Sequence, residues 1–117
     1  MKVLIVESHA GMRSFLRLLV GRLAEAIYEC VDGIQAIETY TAAHLTTTDW
    51  VLMSIDIPRL DGLQATQQLK SICPDARVCL FTDHNLPECR EAAVAMGASG
   101  YVLMDELHTV RRLLGAQ

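Results

Sequence analysis

With 117 residues, 51% of them apolar, the chain suits one domain around one core, residues 1–117, and leaves no room for a second domain or a disordered character. Net charge is −4, and two lysines and eight arginines are scattered, with only Arg111-Arg112 adjacent; the cationic face that nucleic-acid binding needs is missing. No apolar run approaches the roughly 20 residues of a membrane span, and Met1-Lys2 leads into Val3–Val6 without a cleavage site, so a cytoplasmic protein is expected.

Lys2–Val6 has the compact apolar pattern of a strand covered on both faces. Met12, Phe15, Leu16, Leu19 and Leu23 then recur at helical spacing and define one stripe, with Arg13, Arg17 and Arg22 off it. Ala26–Val31 reads as a second strand, and the charge of Glu29 at its centre suits a sheet edge. Asp32-Gly33 turns the chain, with Asp32 placed to cap a helix carrying Ile34, Ile37 and Tyr40.

Trp50–Met53 is the third strand; Asp61 caps a helix through Leu63 and Leu69 that ends at Cys73-Pro74. Val78–Phe81 is the fourth strand. Asn85 and Glu88 form a capping box for a helix running to Met96, stopped by Gly97. Tyr101–Leu103 is the last strand and Glu106–Leu114 the last helix. His9 and His108 are expected to cap or border helices. Strict strand–helix alternation predicts a parallel sheet wrapped on both sides, and right-handed crossovers favour the flavodoxin-like (βα)5 sandwich with strand order 2-1-3-4-5.

In such sheets the binding crevice lies beyond the carboxyl ends of the strands. The residues there are Glu7 and Ser8, Ser54, Thr82 and Met104, with Asp56, Asp61 and Asp83 in the adjoining loops. Cys30, Cys73, Cys79 and Cys89 lack metal-ligand spacing and read as small apolar residues in a reducing compartment. A glycine-rich phosphate loop is not found after the first strand, where Glu7-Ser8-His9-Ala10-Gly11 has one glycine.

Four segments carry a resemblance. Val51-Leu-Met-Ser54-Ile-Asp56-Ile-Pro58-Arg-Leu-Asp61-Gly62 resembles the third strand and following loop of response-regulator receiver domains. Val3-Leu-Ile-Val-Glu7-Ser8-His9 is similar to their first strand, and Gly97-Ala-Ser-Gly-Tyr101-Val-Leu-Met104-Asp105 to their fifth. Thr82-Asp-His-Asn85 resembles the fourth-strand segment of receivers from helix-turn-helix transcriptional regulators of the LuxR/NarL type. The likeness spans essentially the whole chain.

That resemblance implies a two-component signalling module. In the family, an aspartate ending strand three accepts a phosphoryl group, an acidic pair after strand one helps hold Mg²⁺, a hydroxyl after strand four binds the phosphoryl group and a lysine after strand five contacts it. Carried over by motif, the acceptor position is Ser54, the acidic pair is Glu7 and Ser8, and the lysine position is Met104. Glu7 and Thr82 keep the family's chemistry; the other three do not.

An acyl phosphate needs a carboxylate, and a serine attacks only beside a base. Mg²⁺ binding is expected to be lost or very weak, with Glu7 and Asp56 the residual candidates. No cofactor or catalytic residue is therefore expected, and the chain reads as a pseudo-receiver rather than an enzyme. The family's strand-five aromatic and strand-four hydroxyl move together; Tyr101 and Thr82 stand at those positions, although a core threonine and a half-buried tyrosine explain them equally well. Asp56 reads as a solvated loop carboxylate, Asp83 and His84 as a surface turn, and Asp61 as a cap. The implied partner is a protein or the chain's own output domain, or a second copy through the helix 4–strand 5–helix 5 or helix 1–helix 5 face. An ordinary phosphorelay receiver with an unusual acceptor, and a small-ligand sensor in the same crevice, are the alternatives.

Overall fold

In the computed structural model, which describes residues 1–115, strands and helices alternate throughout. The strands are β1 (Lys2–Val6), β2 (Ala26–Cys30), β3 (Trp50–Ser54), β4 (Arg77–Thr82) and β5 (Gly100–Leu103). The helices are α1 (Ala10–Val20), α2 (Gly33–Ala42), α3 (Gly62–Ile72), α4 (Pro87–Ala95) and α5 (Val110–Gly115). All strand pairs are parallel, in the order β2-β1-β3-β4-β5. The flavodoxin-like order read from the sequence is the one observed, and β2, with Glu29, is an edge.

Side-chain alternation along each strand divides the core into two layers. Val3, Ile5, Leu52, Cys79 and Phe81 face one side and pack with Leu16, Leu19 and Val20 of α1 and Val110 and Leu114 of α5. Leu4, Val6, Val51, Met53, Val78 and Leu80 face the other, against Ala36 and Tyr40 of α2, Ala65 and Leu69 of α3 and Ala93 of α4. Both faces of the sheet are covered, which explains the continuous apolar runs.

Helix starts follow the capping logic in three cases. Asp32 and Asp61 each accept a 2.8 Å hydrogen bond from the backbone N–H three residues on, at Gln35 and Gln64. His9 does the same for α1, its Nδ1 accepting from Met12 N–H at 3.2 Å. The expected Asn85–Glu88 box is not formed. Leu86 precedes α4 without a side-chain cap, and Pro87 opens the helix; its preset φ and missing N–H suit the first turn and make a capping acceptor less necessary.

Two further expectations are corrected. Phe15 is 48% exposed, because α1 turns Leu16, Leu19 and Val20 squarely inward and leaves Phe15 on the flank of that stripe. The last helix does not run from Glu106. Met104–Thr109 is a 3₁₀ segment with Glu106 at φ −117°, ψ 18°, and the α-helix begins only at Val110. Strands β3 and β4 each extend one residue further than read, taking in Ser54 and Thr82. Both site residues are thereby held by the sheet.

Candidate functional site at the carboxyl edge of the sheet

Because β1, β3 and β4 are adjacent, their carboxyl ends deliver Glu7, Ser54 and Thr82 to one crevice. These residues are only 6%, 4% and 1% exposed, so polar groups floor the crevice where apolar ones fill the rest of the sheet. Ser8 and Asp56 are exposed at its rim, while Tyr101 and Met104, on β5 and its continuation, are half-buried. Asp83, Asn85, Leu103, Met104 and Asp105 line an adjoining cleft of about 280 Å³.

The loop after β1 is folded onto itself. One oxygen of Glu7, Oε2, accepts from the Ser8 hydroxyl at 3.3 Å and from His9 N–H at 3.0 Å. Arg13, one turn into α1, donates to the carbonyls of Glu7 at 2.8 Å and Ser8 at 3.1 Å, and pairs with Glu29. A cation thus braces the loop from behind. Composition alone gave no hint of this, since Arg13 lies off the apolar stripe and its reach depends on the loop's path.

The Ser54 hydroxyl makes no hydrogen bond to any described residue, so no base is seated against it. Among the described residues, Trp50 Nε1 is the one fully buried polar side-chain atom without a partner, so Ser54 Oγ, also unpartnered, still reaches solvent. Its backbone is tightly held. Gly62, at the start of α3, presses against the Ser54 carbonyl where a Cβ would collide. Ile55 N–H donates to Phe81 C=O at 3.0 Å and Gly62 N–H to Ile55 C=O at 2.9 Å.

The loop between β3 and α3 is latched to α2. Arg59 adopts φ +67°, a conformation uncommon outside glycine, and its guanidinium donates twice to Asp32, at 2.9 and 3.1 Å. Gly33 lies so close to the Leu60 carbonyl that any β-carbon would overlap it. The Arg59 guanidinium holds the Asp32 carboxyl below its ordinary range; burial opposes this, and the Gln35 N–H adds to it.

His84 joins Thr82 to Tyr101. Its N–H donates to Thr82 Oγ1 at 3.1 Å, and its carbonyl accepts from the Tyr101 hydroxyl at 3.1 Å. The Arg90 guanidinium stacks over the Tyr101 ring at 4.5 Å. Burial, foremost, pushes the Tyr101 phenol up. The His84 imidazole Nε2 lies 3.2 Å from Asp56 and 3.5 Å from Asp83. Asp56 is an exposed loop carboxylate, as expected, and is paired with His84; the turn expected at Asp83-His84 is exposed and connected to both floor and rim.

The family model of the response regulator receiver domain matches residues 3–109. The chain belongs to that family. Among relatives, the chemotaxis protein CheY of Halobacterium salinarum is 32% identical over 101 residues, covering 86% of this chain and 82% of the relative. The transcriptional regulatory protein YhcZ of Bacillus subtilis is 28% identical over 123 residues; the match covers all of this chain but 56% of YhcZ. A LuxR-family two-component response regulator from Aurantimonas sp. superposes with a TM-score of 0.84 at 24% identity, covering 99% of this receiver and 86% of that chain, which is a likeness of fold.

Within this receiver, the residues selected from the sequence are mostly brought together. Glu7, Ser54 and Thr82 share the floor; Ser8 and Asp56 stand on the rim; Met104 opens the 3₁₀ segment beside the cleft. Asp61 serves as a helix cap. Sequence reasoning missed the Arg59–Asp32 latch, the Arg13 brace and the double backbone role of His84. Only Asp32 carried a signal, as a cap.

Proposed function

We propose that this receiver is a pseudo-receiver of a two-component system, not phosphorylated, which works through protein contacts and regulates transcription through an attached or separate output. The supporting observation is the end of β3: Ser54 brings a hydroxyl without a hydrogen-bonded base instead of a carboxylate. The neighbouring positions point the same way. Ser8 is neutral and spends its hydroxyl on Glu7, and Met104 supplies no positive charge for a transferring phosphoryl group.

The donor set does not suit Mg²⁺ either. That ion takes hard oxygens, usually including carboxylates, and the floor offers one carboxylate, Glu7, with Oε2 already accepting two hydrogen bonds. Loss of the lysine accompanies loss of the acids expected at positions 8 and 54, the floor carboxylates that would offset the desolvation cost of an ammonium, although Asp83 and Asp105 still line the cleft beside Met104. Methionine fills the space without charge.

Contacts are the remaining mode of signalling for a module of this kind. Exposed apolar side chains stand on both faces named by the family resemblance: Phe15 and Leu18 on α1, Leu86 and Val94 at α4. Among the described residues no helix is long and apolar enough to cross a membrane, and the four unpaired cysteines fit a reducing, cytoplasmic setting. The chain spans about half the length of YhcZ, which leaves an output domain beyond these residues as part of the proposal.

Incubation of the wild-type protein with acetyl phosphate and Mg²⁺, followed by intact-mass measurement and ³¹P NMR, tests the reading. No adduct and no Mg²⁺-dependent shift are expected. A labile phosphate on the protein overturns it.

A further inference from the structure

We propose that the floor of the crevice accepts one lysine side chain of a partner protein, whose ammonium meets Glu7 and Ser54 while its methylene stem lies along Leu103 and Met104. This contact presupposes an unphosphorylated pseudo-receiver and names how it meets its partner.

The floor holds a buried carboxylate without a counter-charge. Glu7 is 6% exposed. Both hydrogen bonds to its carboxylate, from the Ser8 hydroxyl and His9 N–H, come from neutral donors and reach the same oxygen, Oε2. Oε1 accepts none among the described residues, and since Trp50 Nε1 is the one fully buried orphan there, Oε1 opens to the crevice. Arg13 does not supply the charge, because it is turned to the Glu7 and Ser8 carbonyls and to Glu29. Carboxylates taken out of water are normally paired with a cation.

A second unpartnered oxygen stands next to it. Val6 and Met53 are register partners, so Glu7 and Ser54, the next residues, sit side by side at the strand spacing of about 4.8 Å. Ile5 and Leu52, two residues earlier, face the α1 and α5 layer, and alternation sends Glu7 and Ser54 to that same side. Ser54 is 4% exposed and its hydroxyl is free. Met104 packs against the same layer and also lines the adjoining cleft of about 280 Å³, so it joins cleft to floor.

The free oxygens select the cation. One open carboxylate oxygen beside one hydroxyl suits a compact ammonium with three donors. A guanidinium fork takes both oxygens of a carboxylate, and Oε2 is already engaged. One ammonium and Glu7 also balance in charge, as a divalent ion against Glu7 alone does not. A lysine stem lies along apolar surface while its head reaches a polar end; Leu103 and Met104 give that wall, and Asp83 and Asp105 at the mouth draw positive charge inward. Leu86, 50% exposed and next to Asn85 of the cleft wall, offers the body of a protein an apolar contact beside the mouth.

The test is NMR titration of the ¹⁵N-labelled chain with the capped tripeptide glycyl-lysyl-glycine, with matched arginine and norleucine tripeptides and methylammonium as separate arms. Wild type, Glu7→Gln, Ser54→Ala and Asp105→Asn are compared, with thermal melts to check folding. Ser54→Ala removes a hydroxyl that bonds nothing, so it keeps the fold whatever Glu7→Gln does. The lysine peptide should shift residues 7, 54, 103 and 104 and bind more tightly than the other three probes. Affinity should fall about tenfold or more in Glu7→Gln, the loss expected for a hydrogen bond to a charged group. It should fall severalfold in Ser54→Ala, and less in Asp105→Asn than in Glu7→Gln, although those two change net charge equally. Undiminished binding by Glu7→Gln, an equal loss in Asp105→Asn, or no shifts at tens of millimolar peptide overturns the site. Arginine or norleucine peptide binding as tightly overturns the choice of lysine, and methylammonium doing so overturns the protein partner. Acetyl phosphate labelling reads the Ser54 chemistry separately, so an unlabelled chain that ignores the lysine peptide sinks this contact alone.

Discussion

Arg59 grips Asp32 across 27 positions of sequence, with two hydrogen bonds of 2.9 and 3.1 Å to the two carboxylate oxygens. The same carboxylate caps α2, so a single buried acid ties the loop after β3 to the helix after β2. Its fork-to-fork geometry is the strong form of an arginine–carboxylate contact.

The latch has a definite pH signature. A carboxyl held below its ordinary value in the folded state stabilises the fold above the unfolded value of about 3.9, and that contribution is lost as pH falls through the lowered folded value. Asp32 behaves this way, chiefly because of Arg59. Arg59→Ala should therefore lower the urea midpoint clearly at pH 7, and the gap to wild type should narrow below pH ~3.9. Paired urea melts at pH 7 and pH 2.5 measure it. A gap independent of pH would sink the assignment.

Glycine at two helix starts is a steric requirement. Gly33→Ala drives a β-carbon into the Leu60 carbonyl, and Gly62→Ala drives one into the Ser54 carbonyl. Backbone cannot yield as a flexible side chain can, so each should cost about 1–3 kcal/mol or more. Gly115→Ala is the control, because its β-carbon would meet Leu23 at an ordinary 3.7 Å. Chemical denaturation of the three variants separates them.

Restoring the acid alone should not restore the chemistry. Ser54→Asp supplies a carboxylate but leaves Ser8 neutral and methionine at position 104. No stable label from acetyl phosphate with Mg²⁺ is expected, by intact mass. Adding Ser8→Asp and Met104→Lys rebuilds both the metal ligands and the phosphoryl contact, and labelling is expected only then. A labelled single variant would show that the missing charges are not what silences the pocket.

Thiol reactivity should split evenly. Burial, aided by the charge of Asp32, pushes the Cys30 thiol up to about 12, and burial pushes Cys79 up to about 12. At pH 8 their thiolate fraction is about one in ten thousand, and the folded chain shields them besides. Cys73 and Cys89 are half-buried. An Ellman titration should give two fast thiols in the native protein and two more on unfolding. Four fast thiols would mean that the strand cysteines are not sequestered.

The strands and the crevice position were legible because burial on both faces writes itself as apolar runs such as Val3–Val6, and the residue closing each run must stand at the sheet's edge. Asp32 and Asp61 were legible as caps because that contact is local, three residues long. Three kinds of feature were not. The start of α4 depended on Pro87 rather than on the nearest polar side chain. The inward face of α1 shifted by one flank and left Phe15 in water. The contacts of His84 and Arg59 are long-range, made by backbone atoms or by a residue in a left-handed conformation, and neither leaves a periodic trace.

The two margins of the sheet bear on how copies of this chain can meet. At β2, Glu29 lies on the α1 side of the sheet, clamped between Arg13 and Arg17 at 3.3 and 2.7 Å, and β5 is only four residues long before the chain curls into a 3₁₀ turn. A strand arriving from another molecule would meet a charged residue at the centre of one edge strand and would find little ladder on the other. Strand-to-strand pairing along either margin of the sheet is thereby discouraged.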